Sequence, residues 1–588
     1  MAIDTADRSV GPAQQAANAS HQTTGEHAAV LGRLAAASGV LASLAACGGG
    51  GSGAGPSPSP SPSPSPAPTP SPAPAPAPAP PTDTQAARFL LQATLGVTDA
   101  DLAAVKSQGY AAWLDAQFAL PVSSSNWDWL VGKGIDQNPD ARTAAIGVDA
   151  QVWQRLIAAP DSLRQRAAWA WSQILVVGFD GLTGNYKQFK LAAWWDLLAS
   201  KAFGNFRDLL DAVTLSPAMG NYLNTAGNQK EDPASGRLPD ENYAREVMQL
   251  FTIGLYELNA DGSLKLDARG QPVETYTQDM VTQLARVFTG WNNDVRTGDT
   301  GFETMRRPMV LNAARHSTLE ARFLGTVVPA GTAGAVALRM ALDTLAAHPN
   351  VGPFIGRQLI QRLVTSNPSA AYVQRVAQVW ADNGHGVRGD LQTVFRAIWL
   401  DDEARSDAAL SSTTFGRLRE PVLRVLQWAR SFKAGSLSGD WTIGNTSDPS
   451  NRLGQSPLRS PSVFNFYRPG YVPAGTAIAS AQLVAPEFQL ANETGVAGYL
   501  NTVQTLSASA HADLRPDHTT ELALATDASA LVARVELLLC ARQLPASVRD
   551  TVVQAVASIA ATTPTGAANR VATAVMLVMA CPDFLVQR

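Results

Sequence analysis

The sequence predicts a mainly α-helical protein: a large multi-helix globular body with one or two small β-hairpins, preceded by a disordered Pro-rich tether. Apolar residues recur at three- and four-residue spacing through most of the region after Asp83, which is the period of a helix buried on one face. Prolines alternate with Ser, Ala or Thr over residues 56–81, a pattern that no packed core accommodates. Hydrophobic residues make up 45% of the chain, which suffices for a globular body beyond the tether.

Residues 1–46 have the order of a bacterial lipoprotein signal. Arg33 precedes a short run of Leu and small residues that ends in Leu-Ala-Ala-Cys at Cys47. We therefore expect cleavage before Cys47 and lipidation of its thiol, which would anchor an exported protein to a membrane. Gly48 stands where an Asp retention signal would lie, so we expect an outer membrane lipoprotein facing the periplasm or the cell surface. The alternative is a cytoplasmic tail with a chance Ala-Ala-Cys.

Residues 47–82 form the predicted tether, which is rich first in Gly and Ser and then in Pro. Alternate prolines fix φ and remove backbone donors, so this stretch favours extended polyproline II over folded structure. At roughly 3.1 Å per residue, residues 56–81 would reach roughly 80 Å. We expect a spacer that holds the body away from the membrane.

Residues 83–588 are predicted to form the helical domain, either as one large domain or as two packed subdomains, because the length exceeds that of a usual single domain. Turn residues flank short runs between Leu258 and Gln278, which favours one or two hairpins projecting from the helices. The clearest helical patterns lie at residues 163–177, 191–201, 351–365, 371–380, 391–399, 419–432, 531–542 and 567–580.

Composition narrows the classes of partner. A net charge of −4 without a basic stripe argues against nucleic acid. No segment after the leader offers the ~20 uninterrupted apolar residues of a membrane span. Besides Cys47 the chain has two cysteines, Cys540 and Cys581, too few for a thiolate metal cluster. These two either form a disulfide in an oxidising compartment or pack as small buried side chains.

The strongest candidate for chemistry lies in residues 239–258, where Asp240 is a good helix N-cap. On an ideal helix Glu246 falls at the edge of the apolar arc. A carboxylate there is either paired or has a raised pKa, because burying it alone is costly. Glu246 is therefore either a general acid or base, or one half of a salt bridge between helices. Glu241 and Arg245 lie four residues apart, which an exposed helical pair explains without any function.

His316 is the favoured site histidine, because it follows the segment 289–291 along the chain. The alternative is an ordinary loop or core histidine. We expect no metal site, since no two histidines lie four residues apart and the turn at residues 259–263 departs from a calcium loop. No nucleophile elbow, phosphate loop or dinucleotide motif occurs, so the sequence does not indicate a cofactor.

Distinctive strings lie at residues 88–96, 163–166, 205–210, 239–258, 288–291, 363–368, 386–391, 419–421 and 461–471. Together they resemble the bacterial domain-of-unknown-function family 1800, over essentially all of residues 83–588. The resemblance implies an exported, largely helical protein with no established reaction. Such proteins are often encoded beside a partner of the domain-of-unknown-function family 1501, which is similar to sulfatase- and phosphatase-like enzymes. The family often has His-Asp where this chain has His316 and Ser317.

Strings rich in Arg, Asn, Glu and aromatic residues suit a cleft for a carbohydrate or anionic polymer. Flat rings stack on sugars, and Arg forks hold carboxylates or sulfates. The same residue types equally suit a helical scaffold with buried Arg–carboxylate pairs. The predicted binding residues are Glu241, Asn242, Arg245, Trp291, Arg419, Glu420, Asn465 and Arg468.

We expect a lipid-anchored envelope protein that binds a surface polymer or assists a partner enzyme. One alternative is a hydrolase or lyase that acts on an anionic or carbohydrate polymer, with Glu246 and His316 as its acid and base. That alternative requires the two side chains to converge in one cleft. A second alternative is a structural envelope protein, which predicts no concave polar pocket.

Overall fold

Every segment whose apolar spacing predicts a helix contains one. The pattern at residues 391–399, for example, is the helix Leu391–Leu400, whose buried face includes Val394 and Ile398. Burial of such faces, at about 25 cal/mol per Å² of apolar surface, is what holds these helices in place. The predicted mainly α-helical fold is confirmed.

The computed structural model describes residues 79–588, and Pro81–Arg588 form one unit. The predicted signal segment, Cys47 and nearly all of the tether lie outside the described residues. None of the helices between residues 79 and 588 combines the length and apolarity needed to cross a bilayer. The α-helices span Asp83–Ala93, Asp99–Phe118, Asn126–Gly132, Val148–Ala158, Ser162–Ser172, Lys187–Lys201, Phe206–Thr214, Pro217–Tyr222, Asn242–Gln249, Gln278–Val287, Gly334–Ala347, Val351–Leu363, Ala370–Ala381, Leu391–Leu400, Asp402–Arg405, Pro421–Ser431, Ala477–Ser480, Glu493–Ser507, Thr519–Ala523, Ala528–Cys540, Ala546–Ala557, Pro564–Ala580 and Pro582–Leu585.

The strands of this part of the chain form two-stranded antiparallel sheets. In the predicted hairpin region the chain folds back through isolated bridges, such as Tyr256 to Glu274 and Leu258 to Leu264, rather than through longer strands. The strand pairs are Trp291–Asn292 with Val310–Leu311, Ala321–Phe323 with Thr326–Val328, Arg417–Leu418 with Val586–Gln587, and Gly435–Ser436 with Leu514–Arg515.

The helix that carries Glu246 is shorter than the segment 239–258 that the sequence predicts, and spans Asn242–Gln249. The N-cap position is Glu241 rather than the predicted Asp240, whose Oδ1 nevertheless accepts from the Asn242 N–H at 2.8 Å. After the helix the chain turns at Gly254, whose φ of +73° is unfavourable for other residues. A Cβ there would also lie 2.7 Å from the Phe354 ring, so the turn replaces the predicted last turns.

Aromatic packing fixes this helix against its neighbours. The rings of Tyr243 and Phe288 meet edge to face with centroids 4.9 Å apart. The Tyr243 hydroxyl lies 2.7 Å from Thr214 Oγ1, which ties the same helix to Phe206–Thr214. Phe288 directly follows the helix Gln278–Val287. Its packing against Tyr243 therefore fixes the position from which the next segment begins.

Candidate functional site

A polar pocket lies where the chain leaves the helix Gln278–Val287. Trp291 and Asn292 pair with Val310–Leu311, and the Gly227 N–H donates to the Trp291 carbonyl at 2.8 Å. These contacts gather three chain segments around a cavity of about 310 Å³, which we call the Trp291 pocket. Besides Trp291, its polar lining consists of Asn228, Asn292, Asn293, Asp294, Asn312 and Arg315.

Gly290 allows the pocket to form. Its φ is +85°, and a Cβ at this position would lie 2.8 Å from the Asn312 carbonyl oxygen and 3.0 Å from the His316 nitrogen. The Asn312 N–H also donates to the Gly290 carbonyl at 2.8 Å. Only glycine tolerates both the dihedral and the close backbone approach.

Two buried polar atoms at the pocket have no hydrogen-bond partner among residues 79–588. They are the indole Nε1 of Trp291, whose residue is 6% exposed, and Oδ1 of Asn293. Leaving a buried polar group unpaired costs about 1–3 kcal/mol. The pocket therefore carries a donor and an acceptor that the described fold does not use.

The other amides are partly committed to the backbone. Asn228 Oδ1 accepts from the Asp240 N–H at 2.9 Å, and its Nδ2 donates to the Asp240 carbonyl at 3.2 Å. This exchange joins the pocket to the start of the Glu246 helix. Asn292 Oδ1 accepts from the Asn293 N–H at 2.9 Å, and Asn312 Oδ1 from the Ala314 N–H at 3.1 Å.

The two charged side chains of the lining, Asp294 and Arg315, differ in whether they have ion-pair partners. Asp294 contacts Arg296 Nη2 at 2.6 Å and Arg307 Nε at 3.2 Å. Arg307 also pairs with Asp299. Within residues 79–588 the guanidinium of Arg315 has neither an ion pair nor a hydrogen bond, so it is the cation left unneutralised in the lining.

His316 lies behind the pocket and is 5% exposed. Its Nδ1 is 2.9 Å from the Thr289 carbonyl oxygen, which is the geometry of an N–H donor on Nδ1. Ser317 Oγ donates to both carboxylate oxygens of Glu231 at 2.9 Å. The residue after His316 is Ser317 rather than the Asp that the family often has there, but the Glu231 carboxylate lies directly beside it.

Glu246 is 7% exposed and makes no ion pair and no side-chain hydrogen bond with any described residue. Its Oε2 is buried without a partner. Burial raises the pKa of Glu246 to about 7, although the Arg245 charge acts in the opposite direction. Burial and the Glu246 charge both raise the pKa of Tyr222 and of Tyr276, which places the two phenols near this carboxyl group.

The contacts of Glu246 and His316 do not overlap. The charge of the carboxyl group acts on Tyr222, Tyr276 and Arg245, whereas the imidazole Nδ1 lies 2.9 Å from the Thr289 carbonyl oxygen. No hydrogen bond joins the two side chains. The geometry thus offers no support for a Glu246–His316 pair, and each has to be considered alone.

Glu241, Asn242 and Arg245 lie at the partly exposed start of the same helix. Glu241 Oε2 accepts from Arg245 Nη2 at 3.0 Å and from Gln278 Nε2 at 2.8 Å, while its Oε1 accepts from Thr282 Oγ1 at 2.6 Å. The Glu241–Arg245 pair is therefore an ordinary helix pair that also ties two helices together.

Arg419 and Glu420 are 1% and 0% exposed, so neither faces a cleft that a polymer could enter. Glu420 accepts from Trp169 Nε1 at 3.0 Å and from Gln455 Nε2 at 2.7 Å. Burial opposes ionisation of Glu420, but the Arg417 charge and these bonds outweigh it and lower its pKa. Arg419 donates to the Phe584 carbonyl, with its guanidinium 4.9 Å from that ring centre. The geometry favours the scaffold alternative for this pair.

Asn465 and Arg468 lie outside the lining of the Trp291 pocket. Asn465 is 6% exposed with a φ of +63°, and its Oδ1 accepts from Ser460 Oγ at 3.2 Å. Arg468 is exposed and lies over the Phe464 ring, 5.0 Å from its centre. Of the predicted binding residues, Trp291 alone lines this pocket.

Cys540 and Cys581 are free thiols in the structure, so the disulfide that the sequence left open is not formed there. Cys540 is buried, which raises its pKa to about 12, and Cys581 Sγ donates to the Leu577 carbonyl at 3.1 Å. This matches the alternative of two small packed side chains.

The sequence reasoning missed Asn293, Asn312 and Arg315. Their only signal is the run of polar residues after Trp291 and the similar run before His316, which a search for aromatic and acidic strings passes over. Among the described residues, no group of three or more His, Cys, Asp or Glu side chains is arranged to hold a metal ion.

Comparison with known proteins places the chain in one family. No curated protein and no solved structure matches it. A family model described as "Protein of unknown function (DUF1800)" matches residues 88–586, which include the whole Trp291 pocket and the Glu246 helix. The match covers most of the chain, and the protein therefore belongs to the DUF1800 family.

Proposed function

We propose that this protein is an exported lipoprotein, anchored through Cys47, that binds a surface polymer in the Trp291 pocket. The observation that carries the proposal is that two residues of the lining, Trp291 and Asn293, each have an unpaired buried polar atom, Nε1 and Oδ1 respectively. A ligand with hydroxyl groups donates and accepts at once, so a sugar unit could satisfy both atoms.

The pocket suits one unit of a polymer rather than a large apolar molecule. Its volume of about 310 Å³ is at the lower end of ligand sites, and its lining is dominated by amides. Because Trp291 is only 6% exposed, recognition rests on hydrogen bonds more than on stacking of its ring. A polar pocket is also what the structural alternative does not predict.

A binding protein of this kind would hold the polymer for a partner enzyme. The family 1501 protein is our prediction for that partner, and the outer membrane, reached through the lipid on Cys47, is our prediction for the location. Co-purification of the full-length chain from detergent-solubilised membranes tests both. Recovery of a monomer from cytosol, with an unprocessed amino terminus, would contradict them.

To test the pocket, the affinity of the protein is measured for a panel of envelope and extracellular polysaccharides. Trp291→Phe keeps the aromatic ring but removes the Nε1 donor, so we expect a loss of about tenfold in affinity, equivalent to about 1.4 kcal/mol. Trp129→Phe is the matched control, because Trp129 lies on the helix Asn126–Gly132 and outside the pocket. Equal affinity of Trp291→Phe and the unsubstituted protein, or no polysaccharide bound at all, overturns the proposal.

A second candidate function is supported by Glu246. A carboxyl group with a pKa of about 7 suits a general acid or base, and the nearby Tyr222 and Tyr276 would be its phenolic neighbours. A hydrolase or lyase of this kind predicts polymer cleavage that Glu246→Gln abolishes while the fold persists. Cleavage by Glu246→Gln at the original rate would remove this candidate.

A further inference from the structure

The Trp291 pocket offers several donors that no described residue uses. The Oδ1 atoms of Asn292 and Asn312 each already accept from a backbone N–H group, whereas their Nδ2 groups donate to no described residue. Trp291 Nε1 is buried without a partner, and the Arg315 guanidinium also lines the pocket. Asn293 Oδ1 is an unpaired acceptor in the lining, beside the Asp294 carboxylate in sequence. An acceptor-rich ligand therefore matches this pocket better than a neutral polyol does.

The distribution of charge in the lining also favours an acceptor-rich ligand. Asp294, the carboxylate in the lining, already contacts Arg296 and Arg307 at 2.6 and 3.2 Å. Arg315 lines the pocket and has no ion-pair partner within residues 79–588. Glu231 lies nearby but outside the lining, where its carboxylate accepts from Ser317. The backbone N–H of the neighbouring Lys230 donates to the Arg315 carbonyl at 2.9 Å.

We propose that the Trp291 pocket recognises an acidic sugar unit, and that Arg315 binds its anionic substituent. This inference rests on the proposed polymer-binding function and names the class of polymer. A carboxylate or sulfate would accept from the planar guanidinium through two parallel bonds, the strongest geometry for such a group. The amide Nδ2 groups of Asn292 and Asn312 would donate to the ring hydroxyl oxygens.

The test is an array of acidic oligosaccharides, each printed beside a form without charge. Uronate oligomers are paired with their methyl esters, and sulfated oligomers with their desulfated forms, so that the two sources of the anion are read separately. The full-length chain is compared with Arg315→Gln. Arg322→Gln is the control, because Arg322 is exposed, pairs with Glu320 at 2.6 Å and lies outside the pocket.

We expect the protein to bind at least one acidic oligomer at least tenfold more tightly than its uncharged form, and Arg315→Gln to lose this preference. Arg322→Gln should keep it. The preference should also weaken as salt is raised, since screening acts on an exposed ion pair.

The outcomes separate this inference from the proposed function. Equal binding of charged and uncharged forms that is weakened by Trp291→Phe overturns the acidic-sugar inference and leaves polymer binding intact. A preference for the acidic form that survives Arg315→Gln overturns the role of Arg315. Absence of binding to every oligosaccharide overturns both.

Discussion

Arg417 Nη2 donates to Glu487 Oε1 at 2.6 Å, and both side chains are sealed from solvent, at 0% and 1% exposure. The same guanidinium reaches Glu420 Oε1 at 3.3 Å, so one cation serves two buried carboxylates. A buried ion pair of this kind is costly to break, because the partner left behind keeps an uncompensated charge. The network therefore sets the stability of the interior around it.

Replacing Glu420 by Gln should destabilise the protein strongly. The substitution keeps the shape but removes one of the two carboxylates that face Arg417 and weakens the bonds from Trp169 and Gln455, so we expect a loss of about 1.5–3 kcal/mol in the free energy of unfolding. Urea denaturation measures it. The control is Glu241→Gln, which removes a half-exposed pair with Arg245 and should cost less than about 1 kcal/mol. Equal effects of the two substitutions would contradict the network.

Gly290→Ala should distort the Trp291 pocket. The added Cβ would meet the Asn312 carbonyl oxygen at 2.8 Å while φ stays at +85°, so both strain and a backbone clash oppose it. We expect a loss of about 2–3 kcal/mol in urea denaturation. Gly270→Ala is the control, since Gly270 has a φ of +74° but nothing within 4 Å of its Cβ. If Gly290→Ala loses no more stability than Gly270→Ala, the Asn312 carbonyl oxygen does not approach Gly290 closely.

Glu246 should make the stability depend on pH. Its pKa is about 7 in the fold and about 4.5 when the chain is unfolded. The folded state thus holds more protons between these values, and the free energy of unfolding should fall as pH rises from about 4.5 to about 7. Glu246→Gln should remove that fall, worth about 3 kcal/mol at full shift.

Urea midpoints from acid to slightly alkaline pH measure this effect. Glu274→Gln is the control, because Glu274 lies exposed in the hairpin region and should leave the pH profile unchanged. A Glu246→Gln profile that runs parallel to that of the unsubstituted protein would mean that the carboxyl group ionises normally.

Thiol alkylation should distinguish the fates of the three cysteines. Because Cys540 and Cys581 are free in the structure, both should be alkylated in denatured, unreduced protein. Native Cys540 should react slowly, since burial raises its pKa to about 12. If Cys47 carries a lipid, peptide mass spectrometry should find its thiol blocked. Alkylation of Cys540 and Cys581 only after reduction would reveal a disulfide instead.

The helices were predictable because each carries its own signal. The helix Leu391–Leu400 follows from the spacing of apolar residues such as Leu391 and Val394, which is local information. The pairing of Arg417–Leu418 with Val586–Gln587 was not predictable, since two-residue strands far apart in the chain leave no periodic pattern.

The candidate site was predictable only in part. Trp291 was selected from its string, but the unpaired state of Arg315 depends on which acidic residues the fold places near it. Arg419 and Glu420 were predicted as binding residues because their types suit a polymer cleft, although the same types equally suit a scaffold of buried Arg–carboxylate pairs. The fold buries them because distant residues such as Trp169, Gln455 and Phe584 supply their partners, and no spacing in the sequence reveals such compensation.

Residues 584–587 close the interior of the body. The Phe584 carbonyl accepts from Arg419, Gln587 Nε2 donates to the Leu363 carbonyl at 2.7 Å, and Val586–Gln587 complete a sheet with Arg417–Leu418. A nascent polypeptide on the ribosome cannot make these contacts until this stretch has been synthesised. The groups around Arg419 and Leu363 therefore complete their hydrogen bonding only after residues 584–587 have been made.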